Sequence, residues 1–181
     1  MNIFYLDKDP VKCAEMHCDK HVVKMIIEYA QLLSTAHRVI DGEEYVDDSS
    51  GRRIKRWRLP DEREDYIYKA CHVNHPSAIW TRASNNNYTW LNQLFNALCD
   101  EYTYRYGKEH ETARKLRGKL TQLPANIEVG YFKEPPQCMP YLCKMDKAID
   151  GYKRYYIREK ASFAKWTKRD IPEWFSVTIT S

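Results

Sequence analysis

Apolar positions set the frame of this chain. Val11, Ala14, Cys18, Val22, Met25, Tyr29, Leu32, Leu33 and Ala36 recur at three- and four-residue steps, which predicts a helix from Val11 to about Val39. Asp9-Pro10 supplies its start, a capping side chain followed by proline in the first turn. The short apolar run "NIFYL" before it reads as a strand or extended lead-in. "DGEEYVDDSSGRRIKRWRLP" then breaks the period. It is acidic before Ser49-Ser50-Gly51 and basic after, which predicts a charged hairpin or loop over 41–60 with cross-strand charge pairing if it orders.

"DEREDYIYKACHVN" holds a short helix ended by His75-Pro76, and Ser77 is expected to cap a second long helix that Gly107 stops. Its core face would be Ile79, Trp80, Ala83, Trp90, Leu91, Leu94, Leu98 and Tyr102. Asn85-Asn86-Asn87 lie inside it although asparagine is a poor helix former, so something other than propensity must hold them there. A shorter helix covers Glu109 to Leu120, "LPANIEVGYFKEPPQCMP" is a long proline-bearing connection, and Asp146 opens a last helix to about Trp166. The expected fold is mostly α: a single compact domain over 1–181, built on three long helices, with the inserted hairpin or loop at 41–60 and an aromatic-basic tail at 166–181.

Composition narrows the setting. The 181 residues are 43% hydrophobic and 30% charged, enough for one sizeable core and a charged surface. No apolar run is long enough for a membrane span, and the first ten residues lack the pattern of a signal peptide. Six scattered cysteines without a CxxC pair read as reduced thiols, so the expected location is cytoplasmic. A net charge of +4 with 14 Tyr and 5 Trp suits an anionic, stackable partner such as nucleic acid.

Candidate chemistry begins at "HCDKHVVKMIIE". On a helical wheel His17, His21, Lys24, Glu28, Gln31 and Thr35 fall within an arc of about 80°, with Cys13 at its edge and Asp19 pointing the opposite way. Three readings compete. The row can be a solvated face with Lys24 and Glu28 as an i,i+4 pair in the less favourable order. It can be an HxxxH metal pair completed by Glu28, Cys13 or His75. Or it can line a cleft in which Glu28 is a general acid/base or stabilises a developing cation, as cleavage of an N-glycosidic bond requires, with the histidines orienting substrate or binding phosphate. We take the third, with no metal and no cofactor.

Further candidates lie downstream. Arg56 and Trp57 in "GRRIKRWR" could track phosphate and stack on a base, or merely balance the acidic arm. His75 would sit at the mouth of a helix, where an anion is attracted and the imidazole is kept neutral. Arg82 would bind phosphate, while Asn85 and Asn86 could read a base edge. Lys168 and Arg169 are the phosphate candidates of the tail.

"CDKHVVKMIIEYAQL" resembles the first helix of the phage-type pyrimidine-dimer DNA glycosylases, whose Asp-x-His is followed seven residues after the His by a catalytic glutamate. The matching positions are Asp19, His21 and Glu28. "NHPSAIW" resembles the opening of that family's second helix, and "REKASFAKWTKRDIPEWF" its C-terminal pattern of charged helix, basic-proline step and aromatic tail. The likeness skips 41–60. It implies an enzyme acting on duplex DNA at a damaged or modified pyrimidine, in the host cytoplasm if the chain is phage-encoded, with Glu28 as its carboxylate. The family attacks the sugar with the α-amine of the residue after the initiator methionine. Here Asn2 predicts that Met1 is retained, which moves the amine to Met1 and puts the lyase half of the chemistry in question. Two other functions fit the same residues: a transferase that modifies a base or nucleotide without strand cleavage, and a nucleic-acid or nucleotide binder without turnover.

Overall fold

A computed structural model describes residues 1–175, of which the tail read at 166–181 is therefore covered only as far as Phe175. Helices occupy about half of the chain, with one two-stranded sheet among the described residues. Their boundaries correct the expectation of three long helices. Asp9 caps α1 (Pro10–Met16) as the sequence implies, its carboxylate accepting from the Val11 N–H at 2.8 Å. The helix stops at His17, and α2 (Asp19–Asp41) begins after two extended residues. The polar groups at this break are claimed from afar. Met16 C=O accepts from the Trp166 indole at 2.8 Å, and the Asp19 N–H donates to the Lys165 carbonyl at 2.7 Å. The Asp19 carboxylate accepts from Thr167 and Arg105. A break whose groups are all satisfied costs little, so an unbroken apolar period did not guarantee an unbroken helix.

The second long helix divides likewise at Ser84, into α4 (Pro76–Ala83) and α5 (Asn85–Tyr106), with the short α3 (Arg63–Tyr66) preceding them. His75, not Ser77, caps α4: its Nδ1 accepts from the Ser77 N–H at 3.1 Å. Ser84 caps α5 through the Asn87 N–H at 3.1 Å, and Gly107 ends it with φ of 70°, as expected of a stop glycine. After α6 (Glu111–Leu116) comes the irregular connection. The last predicted helix shrinks to α7 (Ala148–Tyr155) and a π turn at Tyr156–Lys160. Only α2 and α5, of 23 and 22 residues, are long.

The charged hairpin orders. β1 (Glu43–Asp47) pairs antiparallel with β2 (Ile54–Arg58), Glu43 opposite Arg58, and Lys55 reaches Glu44 at 3.2 Å. Arg38, buried near the end of α2, ties it down. Its guanidinium donates to the carbonyls of Trp57, Glu64, Ile67 and Tyr68 and to the Glu64 carboxylate. The hairpin, α3 and the segment after it thereby close onto α2 through one side chain whose donors are matched by fixed acceptors.

The asparagine run finds its reason in the connection that follows α6. Asn85 Oδ1 accepts from the Gly130 N–H at 3.0 Å, Asn86 donates to the Gly130 carbonyl, and Asn87 accepts from the Lys133 N–H at 3.0 Å while donating to Trp80 C=O. Asn92 adds a bond to the Leu120 carbonyl at 3.0 Å. These amides serve the backbone of a segment that has no ladder of its own.

One apolar cluster joins the buried faces of α2, α4 and α5 to Ile3–Leu6, Tyr152, Tyr156 and Trp166. Four histidines are buried, and three of them carry large shifts. His17 and His37 are held down at a pKa of about 4, and His21 at about 2, in each case mainly by burial. The fold therefore takes them neutral, whereas the unfolded chain binds their protons below about pH 6.5. Stability is full above pH 6.5 and falls as the pH drops toward 4, by about 2 kcal/mol at pH 4.5 from His17 alone. The carboxylates with depressed values, such as Glu64 and Glu101, act below that window. Denaturant titrations from pH 7.5 to 4.5 should show this loss, and a flat midpoint would contradict neutral burial.

Candidate active site

The first residues lie extended over α2 and are buried there. The Phe4 N–H donates to the Tyr29 hydroxyl at 3.1 Å, and its carbonyl accepts from the Cys13 thiol at 3.1 Å. Its ring stacks on His21 at 4.1 Å. This seating brings the amine of Met1 to 3.8 Å from Glu28 Oε1. The Met1 side chain is 5% exposed and that of Glu28 20%, so the ion pair is recessed yet open to approach.

His75 belongs to the same neighbourhood. Because Nδ1 accepts the α4 cap, the neutral ring carries its proton on Nε2. Burial lowers its pKa, and the positive charge of the amine and His72 add to the effect while Glu28 opposes it. The turn before it is fixed by Arg82, which donates to the Val73 carbonyl at 2.8 Å, and includes His72 in a left-handed conformation with φ of 48°. Thr35 anchors Cys71, its hydroxyl accepting from the Cys71 N–H at 3.2 Å. Burial pushes the Cys71 thiol up, against Thr35, Arg56 and the amine, which all pull it down. Arg56 reaches in from β2, donating to Ala70 C=O at 3.4 Å, and its Nε is buried without a hydrogen-bond partner. The Met1–Glu28 pair thus lies within electrostatic range of the His75 imidazole, and the Met1 amine and Arg56 both act on the Cys71 thiol.

The other expected residues take different places. His17 does not line a surface: it is fully buried, with Nδ1 on the Cys13 carbonyl at 2.7 Å and Nε2 on the Tyr29 hydroxyl at 2.8 Å. It ends α1, so the polar row does not run through it. His21 is buried as well, its Nδ1 taking the Tyr156 hydroxyl at 2.6 Å. Both rings are therefore structural, and among the described residues no group of three His, Cys, Asp or Glu side chains is arranged to hold a metal ion. Lys24 is exposed one turn before Glu28. Asn85 and Asn86 spend their amides on the chain itself rather than facing a base. Arg169 is held by Glu101, and Lys168 Nζ donates to the Tyr104 carbonyl at 3.2 Å. Trp57 is half-buried in the hairpin, its carbonyl bound by Arg38.

A cleft of about 410 Å³ opens elsewhere, between His37, Asp61, Arg63, Tyr66, Lys119 and Gln122. Its arginine is already engaged by Asp41 and Asp61, and Lys119 stands over the Tyr66 ring at 4.1 Å. Sequence reading missed Tyr29, Thr35's partner Cys71 and His72. Tyr29 was legible only as core, since nothing local marks its hydroxyl as the tie for a distant terminus.

Compared with known proteins, the chain matches no family model, no curated protein and no solved structure. No helix of the described residues is long and apolar enough to cross a membrane.

Tyr29→Phe removes the donor to His17 and the acceptor for Phe4 in one step. We expect a loss of about 2 kcal/mol in stability and, because the terminus loosens, a larger proportional fall in any activity that uses the amine. Thermal melts with parallel assays separate the two, and unchanged stability would contradict the tie.

Proposed function

We propose that this protein acts on DNA at the N-glycosidic bond of a damaged or modified pyrimidine, with Glu28 as its central carboxylate. The observation that carries the reading is the 3.8 Å approach of the Met1 amine to Glu28 in a recessed but open position. The resemblance of the Asp19, His21 and Glu28 spacing to the pyrimidine-dimer glycosylases supports it.

In this reading the Met1 amine, having lost a proton to solvent, attacks C1′ of the sugar, the C1′–N bond breaks, and its electrons leave with the base, which takes up a proton. Glu28 stabilises the positive charge gathering on the sugar and accepts a proton from the attacking nitrogen. The bond from C1′ to the ring oxygen then breaks, the oxygen keeping the electron pair and taking the proton back from Glu28, which leaves a protonated imine between the amine and C1′, the species that borohydride reduces. His75, neutral with its proton on Nε2, donates a hydrogen bond to the sugar oxygen or the departing base. Arg56 places its charge by the phosphate.

The test is incubation with ultraviolet-irradiated and untreated duplex DNA under borohydride, with base release, strand breaks and covalent trapping followed together. Trapping on damaged DNA, at a mass that includes Met1, is the expected outcome. Glu28→Gln should lower base release by about 10²-fold or more with the fold intact. Neither trapping nor base release on any duplex would overturn the reading in favour of base modification or binding alone.

A further inference from the structure

The ion pairs of the described residues leave the lysines of one face without carboxylate partners. Arg38, Arg63, Arg105, Arg117 and Arg169 each have an acidic partner within 4 Å. Lys20, Lys24 and Lys160 have none among the described residues. They are not scattered. Lys20 Nζ stands 4.4 Å from the centre of the Phe163 ring and Lys160 Nζ 5.8 Å from the same ring, with Lys160 also 4.7 Å from Tyr155. Lys24 follows Lys20 by one turn on the exposed side of α2, and Glu28 follows Lys24 by another. Each step advances about 6 Å along the helix.

We propose that Lys20 and Lys160, gathered around Phe163, and Lys24, one turn further along α2, form a track for the phosphodiester backbone of a nucleic acid, leading along α2 to Glu28. This rests on the proposed function and names the surface that would deliver the substrate.

Three observations support it. The rings of Phe163 and Tyr155 hold two of the cations in place without neutralising them, so little ordering is required when a phosphate arrives. The same three lysines act on His21 beneath them, adding to the burial that keeps it neutral; their field is therefore concentrated at this face. The hairpin that looked most basic in sequence is partly self-neutralised, with Lys55 on Glu44. Among the described residues, none of the three lysines of the α2 face has a carboxylate within 4 Å.

The experiment measures the salt dependence of binding to a fluorescent duplex, ultraviolet-irradiated or not, between 50 and 200 mM salt. Full-length Glu28→Gln protein is used so that turnover does not intervene. Replacing all three lysines by glutamine should flatten the slope of log affinity against log salt by about two to three units and weaken binding by about 10²-fold at 0.1 M salt. The matching triple arginine variant should retain binding, which separates charge from a folding defect. Arg52→Gln with Arg53→Gln at the hairpin tip should change affinity by less than about threefold, since a charge that touches no phosphate releases no counterion. An unchanged slope in the glutamine triple, or a loss confined to the hairpin variant, overturns the track while leaving the DNA reading in place. If the parent protein binds no nucleic acid even at low salt, the DNA reading falls with it.

Discussion

The hydroxyl of Tyr29 is the point on which the arrangement of the site depends. His17 donates from Nδ1 to the Cys13 carbonyl, so its Nε2 can only accept, and the Tyr29 O–H must be the donor. The oxygen is then free to accept the Phe4 N–H. That single sequence of donors and acceptors fixes the tautomer of a buried histidine, the end of α1 and the path of the N-terminal segment. It also sets the position of Glu28, the preceding residue of the same helix. A proton on His17 would break it, which is why the burial that lowers its pKa and the geometry of the site are the same fact seen twice.

The charges of this molecule divide into two populations. Arginines do the interior work. Arg38 closes the hairpin and α3 onto α2, and the fully buried Arg105 joins Asp19, Glu101 and the Glu15 carbonyl. Burial disfavours the ionised Glu101, yet bonds from Arg169 and Arg105 hold its carboxyl below the usual range. Such networks leave little charge over for a ligand, however suggestive the residues look in sequence. Lysines, with compact and hydrated ammonium groups, remain at the surface, and three of them share one face with the candidate carboxylate.

Much of the helical content was legible from apolar periodicity, as were the hairpin and the cap at Asp9. What failed was continuity. The breaks at His17–Cys18 and Ser84 are stabilised by partners some 40 to 150 positions away, Glu128 and Trp166 among them, and no local window contains those. For the site, the wheel placed Glu28 well but could not tell a lining side chain from a core one. His17 and His21 have the right angle and the wrong depth. The cap expected at Ser77 belongs to His75, whose Nδ1 closes the helix end while its ring stays within electrostatic range of the amine.

The asparagines of α5 have a consequence for how this chain can drift. The connection from 121 to 147 is pinned at separate stations, Gly130 and Lys133 by asparagine amides and the Lys133 carbonyl by the Trp80 indole. The amides address backbone atoms, so the outward side chains beside the pins, such as Val129 and Tyr131, are free to vary. Substitutions there leave the pins untouched, whereas a deletion that shifts Gly130 against Lys133 by one residue unseats two amides together. Lineages of this protein should therefore differ freely at these outward positions and hardly at all in the spacing of the pins.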